Sequence, residues 1–280
     1  MGNEIVISDV FNKDTLCIFT DASIVTIPGG YNGCSGSVAF IENDDDSIIE
    51  DISMVKLLNT TNNESEIYAI YLGILQAVKF RSMMPNKIKQ IYLFSDSKIS
   101  LIGIREWIYK WVNNVKDGLM LSSSGKPVAN QAIILRCIQL ILENDLEVVL
   151  SHTDGHVNFS VKKELYNSVL SFRRMNHMTN SFINLTLYEM IARCNDIVDN
   201  VTRDTLLNKE NVLEVVSKKT ADLFGADRLV HINIKPVPSF CLKNSAFTTV
   251  YVPFDIEKYK RLTGGKINGK HGNQTDSESV

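Results

Sequence analysis

The sequence predicts an α/β fold, and three observations carry the prediction. Three β-prone runs follow one another across short turns near the N-terminus. Beyond them, segments of helical spacing alternate with short apolar runs of strand length. After about residue 208 the pattern changes to a short helix and two further β-like runs, a small α+β C-terminal extension. With 280 residues the chain can build one large domain, or a medium domain with an appendage.

The elements follow in order. Residues 1–14 form a lead-in. Residues 15–20 (TLCIFT) make a short apolar strand that ends on Asp21, and the glycine-rich passage 28–40 (PGGYNGCSGSVAF) brings a tight turn into a second strand. Residues 52–58 make a third, so the start of the chain reads as an antiparallel meander. Turn and capping residues at 60–63 precede a helix over 64–80, where Ile67, Ile70, Tyr71, Ile74, Leu75 and Val78 recur at helical spacing and Glu66 falls in the first turn. Residues 91–107 (IYLFSDSKISLIGIREW) join a covered apolar strand to an amphipathic helix through Ser95, Asp96 and the potential N-cap Ser97. Asp96 reads either as a helix cap or as a carboxylate fixed at the sheet edge. Trp107 and Trp111, four apart on one face, are expected in the core.

A polar stretch, 113–126, leads to a helix over 128–143, a fifth strand at 147–150 and the loop SHTDGHVN at 151–158. Residues 159–194 are mostly helical in pattern, and 181–207 read as one or two helices with Asn195 and Asp199 on one face. A helix over 212–224 and β-like runs at 229–235 and 246–252 follow. The Gly-rich polar tail from residue 263 is expected to be disordered.

Composition excludes several function classes. Hydrophobic residues at 44% and charged residues at 22% describe an ordinary globular chain rather than a disordered one. No apolar run reaches the length needed to cross a bilayer, so no membrane partner is expected. The acidic start lacks a signal-peptide layout, and Val6 stands where myristoylation needs Ser or Thr. Cys17, Cys34, Cys137, Cys194 and Cys241 are scattered without a CxxC pair, which suits reduced thiols in the cytoplasm and argues against a zinc site or a disulfide framework. A formal net charge of −3 excludes nucleic-acid binding by basicity alone. Residues 205–280 hold 11 Lys/Arg against 8 Asp/Glu, whereas the rest holds 18 against 24, an acidic domain with a slightly basic appendage.

Four acids sit at element ends: Asp21, Glu66, Asp96 and Asp199. If the fourth strand lies beside the first, Asp21 and Asp96 leave neighbouring strand ends, and carboxylates that close need a shared proton or a cation. An oxygen-only donor set suits Mg²⁺ or Mn²⁺. Two such ions activate a water and stabilise the leaving oxygen of a phosphodiester.

Six motifs in fixed order resemble those of type 1 ribonuclease H. They are TDAS (20–23) with the glycine-rich turn GGYNG (29–33), TNNESE (61–66), DSKISLIGIREW (96–107), KPVAN (126–130), the Gly155-His156 pair, and NDIVD (195–199). The resemblance implies a ribonuclease H-like fold with a mixed five-stranded sheet flanked by helices. It implies two Mg²⁺ ions, with Mn²⁺ as substitute, held by Asp21, Glu66, Asp96 and Asp199, and His156 moving protons or assisting product release. Asn62 and Asn63 would read 2′-hydroxyls in the minor groove, with Ser23, Ser97 and Asn195 as further substrate contacts. The implied partner is an RNA–DNA hybrid whose RNA strand is cut to leave 5′-phosphate and 3′-hydroxyl ends. The catalytic domain would span 15–207 with an insertion at about 159–194, followed by an extension at 208–262.

There are departures from the family pattern. Ala22 replaces a glycine, and Asp154 stands where a basic residue is common. The long gap between His156 and Asp199 leaves Glu164 and Asp196 as alternatives for the fourth acid; Asp199 is preferred because Asn195 lies one helical turn before it. Residues 113–125 carry only Lys116 as a cation, so substrate grip would come from Lys162, Lys163, Arg173 and Arg174 or from the C-terminal extension. The same two segments are candidates for docking a protein partner. His152 and His177 read as structural or surface residues. Two rival functions remain on sequence grounds: a nuclease for structured RNA or DNA junctions, and a docking protein that keeps the fold.

Overall fold

The computed structural model describes residues 10–178, 184–209, 212–232, 237–242 and 251–264. Strands β1 (Thr15–Ile27), β2 (Gly30–Glu42) and β3 (Ile48–Thr60) form the antiparallel meander. Helix α1 (Asn62–Met83) starts at Thr61, whose side chain accepts from the Glu64 N–H at 3.2 Å. Strand β4 (Gln90–Ser95) lies parallel beside β1. After it, α2 (Lys98–Ile102), a π-helical turn (Gly103–Trp107) and α3 (Ile108–Trp111) run on from one another. The polar stretch folds into a small hairpin of β5 (Val115–Lys116) and β6 (Leu119–Met120). Then come α4 (Gln131–Glu143), β7 (Val148–His152) parallel to β4, α5 (Lys162–Met175) and α6 (Leu185–Leu206). The C-terminal part supplies α7 (Val212–Phe224), β8 (Leu229–Ile232), β9 (Ser239–Phe240) and α8 (Ile256–Leu262).

The expected α/β fold with a mixed sheet is present, and the sheet is wider than five strands. Among the described residues it runs β7-β4-β1-β2-β3-β8, with β9 also on β3. Both additions are parallel to β3: β8 along Ile48–Asp51 and β9 along Lys56 and Leu57. Of the β-like run at 246–252 only Tyr251 and Val252 are described, and they are not in a strand. Most of the tail from residue 263 lies outside the described residues. No helix among the described residues is long and apolar enough to cross a membrane.

β1 explains the layering. Its side chains alternate between faces, and both faces are apolar, as a central covered strand requires. Leu16 and Ile18 join the core under α1 and α4, with Ile70, Ile74, Leu93 and Ile138. Cys17 and Phe19 join the core under α6, with Phe94, Phe40, Tyr188 and Val198. Phe19 stacks on Phe94 with ring centroids 4.9 Å apart.

Two elements differ from expectation. β1 does not stop at Asp21. Its pairing with β4 ends at Thr20 opposite Ser95, but its pairing with β2 continues to Ile27 opposite Gly30. Asp21 is therefore the first β1 residue beyond the β4 edge, and the apolar run ends where coverage from that side ends. Trp107 is 39% exposed, so it does not share the core position expected of it. It meets Trp111 edge-on at 5.9 Å, while Trp111 packs on the core and over Gly103.

Candidate active site

Asp21, Glu66 and Asp96 come from β1, the first turn of α1 and the end of β4. Each can offer one carboxylate oxygen, and these oxygens lie within 4.8 Å of one another. Asp21 and Asp96 stand on adjacent parallel strands, just past the Thr20–Ser95 pair. Thr20 Oγ1 donates to the Phe94 carbonyl at 3.0 Å and ties the two strand ends together. Asp21 Oδ1 accepts from the Ala22 N–H at 2.7 Å.

Asp199 is not one of these three converging carboxylates; it stands on α6, near enough for its charge to act on all of them, because that helix lies close to β2. Asp21 is paired with Gly36, and a Cβ at Gly36 would stand 2.6 Å from Thr202 Cγ2 of α6. A side chain there would push the helix off the strand and carry Asp199 with it. Ser23 Oγ and Thr202 Oγ1, 3.1 Å apart, add a polar contact at the same crossing.

The electrostatics follow from this crowding. Burial pushes the Asp21 carboxyl well above the usual carboxylate range, and the charges of Asp96, Glu66 and Asp199 push it further. Burial, then Asp96 and Asp199, push Glu66 up to about 8. Asp96 is raised by burial and by Asp199, with His156 acting against them. Glu66 Oε2 is buried and has no hydrogen-bond partner among the described residues. Hard oxygen donors, mutual repulsion and an unsatisfied buried carboxylate oxygen together fit a divalent cation of the Mg²⁺ or Mn²⁺ type.

The alternatives for the fourth acid are placed differently. Asp196 is raised by burial and by Asp199 and lies one turn from it on α6. Glu164 is exposed in the first turn of α5 and lines a cavity of about 620 Å³ shared with Asp96, Asp154 and His156. Of the three, only Asp199 acts on Asp21, Glu66 and Asp96 together.

His156 is largely exposed, adopts a left-handed backbone (φ 54°) and places Nδ1 3.8 Å from Asp199 Oδ2. Gly155 before it lies so close to Asp96 that a Cβ would run into Asp96 Oδ2. At the mouth of α1, Asn62 is exposed and Asn63 half-buried. Ser97 Oγ donates to Ser100 Oγ at 2.8 Å, and Ser100 Oγ donates to Asn63 Oδ1 at 3.3 Å, so Ser97 orients Asn63 through a relay. Asn195 is 1% exposed. Its Oδ1 is buried without a hydrogen-bond partner among the described residues, one turn before Asp199.

Several contacts around the site escaped the sequence. Arg203 pairs with Asp199 at 3.0 Å, a contact foreshadowed by their i,i+4 spacing. Asp154 is held by Ser168 and Ser171 of α5, and Asn176 holds the end of β7; no local pattern announces such long-range pairs. His152 is buried, and burial pushes its imidazole below the ordinary range, which matches a structural role.

Comparison with known proteins places these observations. Ribonuclease HI of Haemophilus influenzae is 34% identical over 115 residues, 41% of this chain and 62% of that protein, so the match spans less than two thirds of the relative. Two solved structures are more distant. LC9-RNase H1, a type 1 RNase H with the type 2 active-site motif, is 16% identical with a TM-score of 0.39, over 59% of this chain and 75% of that one. RNase H1 from the halophilic archaeon Halobacterium salinarum is 15% identical with a TM-score of 0.31, over 50% of this chain and 86% of that one. The RNase H family profile matches residues 13–167, which carry Asp21, Glu66, Asp96 and His156 and end before Asp199. With that profile spanning more than half of the chain, over the segment that brings three of the acids together, this protein belongs to the RNase H family.

Proposed function

We propose that the chain is a divalent-metal-dependent endonuclease that hydrolyses the RNA strand of RNA–DNA hybrids, leaving 5′-phosphate and 3′-hydroxyl ends. The observation that carries the proposal is the convergence of Asp21, Glu66 and Asp96, from three different elements, on one oxygen-lined point with a buried Glu66 oxygen unsatisfied. Two Mg²⁺ ions, or Mn²⁺ in their place, supply an activated water and charge stabilisation at the scissile phosphate when bound. Asp21, Glu66 and Asp96 would hold them, with Asp199 as the fourth acid. His156, exposed and beside Asp199, is placed to take or return a proton at Nδ1 while product leaves. Asn62 and Asn63 stand at the mouth of α1, where carboxamides could donate to and accept from ribose 2′-hydroxyls that DNA lacks. Ser97 fixes the angle of Asn63 through Ser100.

The test is cleavage of a labelled hybrid with Mg²⁺, beside double-stranded RNA, single-stranded RNA and double-stranded DNA. Wild type is expected to cut the hybrid selectively. Asp96→Asn and Asp199→Asn are each expected to lose a factor on the order of 10²–10³ or more, the scale on which charge stabilisation in a site acts. An Asp199→Asn enzyme of full activity would transfer the role to Asp196 or Glu164. Cutting of another substrate instead would overturn the hybrid assignment, and failure to cut any of the four would remove the nuclease.

A further inference from the structure

Asp154 has no role in the chemistry above, yet both of its carboxylate oxygens are occupied. Ser168 Oγ donates to Oδ2 at 2.8 Å and Ser171 Oγ donates to Oδ1 at 3.0 Å, from successive turns of α5. The residues before it are also fixed. The Asn176 carboxamide takes both main-chain groups of His152, accepting from its N–H at 2.8 Å and donating to its carbonyl at 2.7 Å, as a neighbouring strand would. The Thr153 N–H donates to the Ser95 carbonyl at 3.1 Å, one residue before Asp96. Ser168 is itself buried against the Tyr188 hydroxyl of α6. The chain is thus held from two sides up to Asp154 and then passes Gly155, on Asp96, to His156, beside Asp199.

We propose that Asp154, latched by Ser168 and Ser171, is a positioning residue that holds the Gly155–His156 loop against Asp96 and Asp199, and that α5 serves the reaction as the anchor of this loop. The role in turnover rests on the nuclease function proposed above; the latch itself does not. A carboxylate suits the position because it is acceptor-only and receives both serine hydroxyls, whereas an amide offers one oxygen and two donors. Pre-set placement of a proton-transfer group is worth rate, and a misplacement of about 1 Å costs up to 10²-fold.

Two measurements test it, on Asp154→Ala, Asp154→Asn and Ser171→Ala in the full chain. The first is amide hydrogen exchange at Thr153, whose N–H donates to the Ser95 carbonyl. Asp154→Ala is expected to speed exchange there roughly tenfold while β1 and β4 stay protected, with Asp154→Asn and Ser171→Ala between it and wild type. The second is hybrid cleavage in the wild-type and His156→Ala backgrounds. Asp154→Ala is expected to lower kcat about tenfold with KM within about twofold, and to add almost nothing once His156 is gone, because coupled residues are not additive. Unchanged exchange at Thr153, an equal kcat loss in both backgrounds, or an effect confined to KM would each overturn the proposal. If the wild-type protein cut no hybrid, the nuclease function would fall and the exchange measurement alone would decide the latch.

Discussion

Glu66 is where the state of the site can be read from a single side chain. It is buried, one of its oxygens lacks a hydrogen-bond partner among the described residues, and its carboxyl is pushed from 4.5 to about 8 by burial and by two neighbouring acids. Its folded-state pKa is raised, so the folded protein holds a proton that the unfolded chain has released. Without metal, stability is therefore expected to fall as pH rises from about 4.5 to about 8. At about 1.4 kcal/mol per pKa unit the loss is on the order of a few kcal/mol. A divalent cation replaces that proton, so the rise in Tm on adding Mg²⁺ or Mn²⁺ should be larger at pH 8 than at pH 5.5. Glu66→Gln should melt above wild type at pH 8 without metal and gain less when metal is added. Thermal unfolding across this pH range, with and without Mn²⁺, checks both; a metal response independent of pH would count against the cluster as the ion's seat.

At the scale of elements, the site depends on how closely α6 crosses β2, and Gly36 sets that distance. Gly36→Ala is expected to cost about 1–3 kcal/mol, the usual range for overpacking, because Thr202 stands in the way of the new methyl group. It should also weaken Mn²⁺ binding, because Thr202 and Val198 flank Asp199 on the displaced helix. Urea unfolding and Mn²⁺ titration would show the two losses together, and a stability loss with unaltered metal affinity would separate α6 from the site. The sequence announces Gly36 only as part of a glycine-rich passage, because a packing contact with a helix more than 150 residues later leaves no local mark. What it does announce is periodic. The apolar run of β1 and the helical spacing of α1 place Asp21 and Glu66, and the junction after β4 places Asp96, each from neighbouring residues alone. The π-helical turn, the half-exposed Trp107 and the buried Asn195 depend on which partner packs where, so spacing does not reveal them.

At the scale of the whole molecule, the C-terminal part adds strands to the sheet and a helix against α4. β8 and β9 extend the sheet along β3, and Arg228 reaches Glu42 at 3.1 Å across that edge. α8 lies on α4, and its Tyr259 is fully buried in the core under α1 and α4. The Tyr259 hydroxyl donates at 3.1 Å to the Ile104 carbonyl, inside the π-helical turn that follows the Asp96 junction. A carbonyl in this turn accepts from a residue 155 positions away. The two functions of this side chain can be separated by substitution. Tyr259→Phe keeps the ring and removes the donor, with an expected cost of about 1 kcal/mol. Tyr259→Ala also empties a large buried volume, with an expected cost of about 3–5 kcal/mol. If α8 is part of one cooperative unit with the sheet, both variants should unfold in a single urea transition at lowered midpoint, read by the tryptophans at 107 and 111 and by far-UV circular dichroism alike. Two separated transitions, or a Tyr259→Ala midpoint equal to wild type, would mean that the C-terminal helix rests on the domain without supporting it.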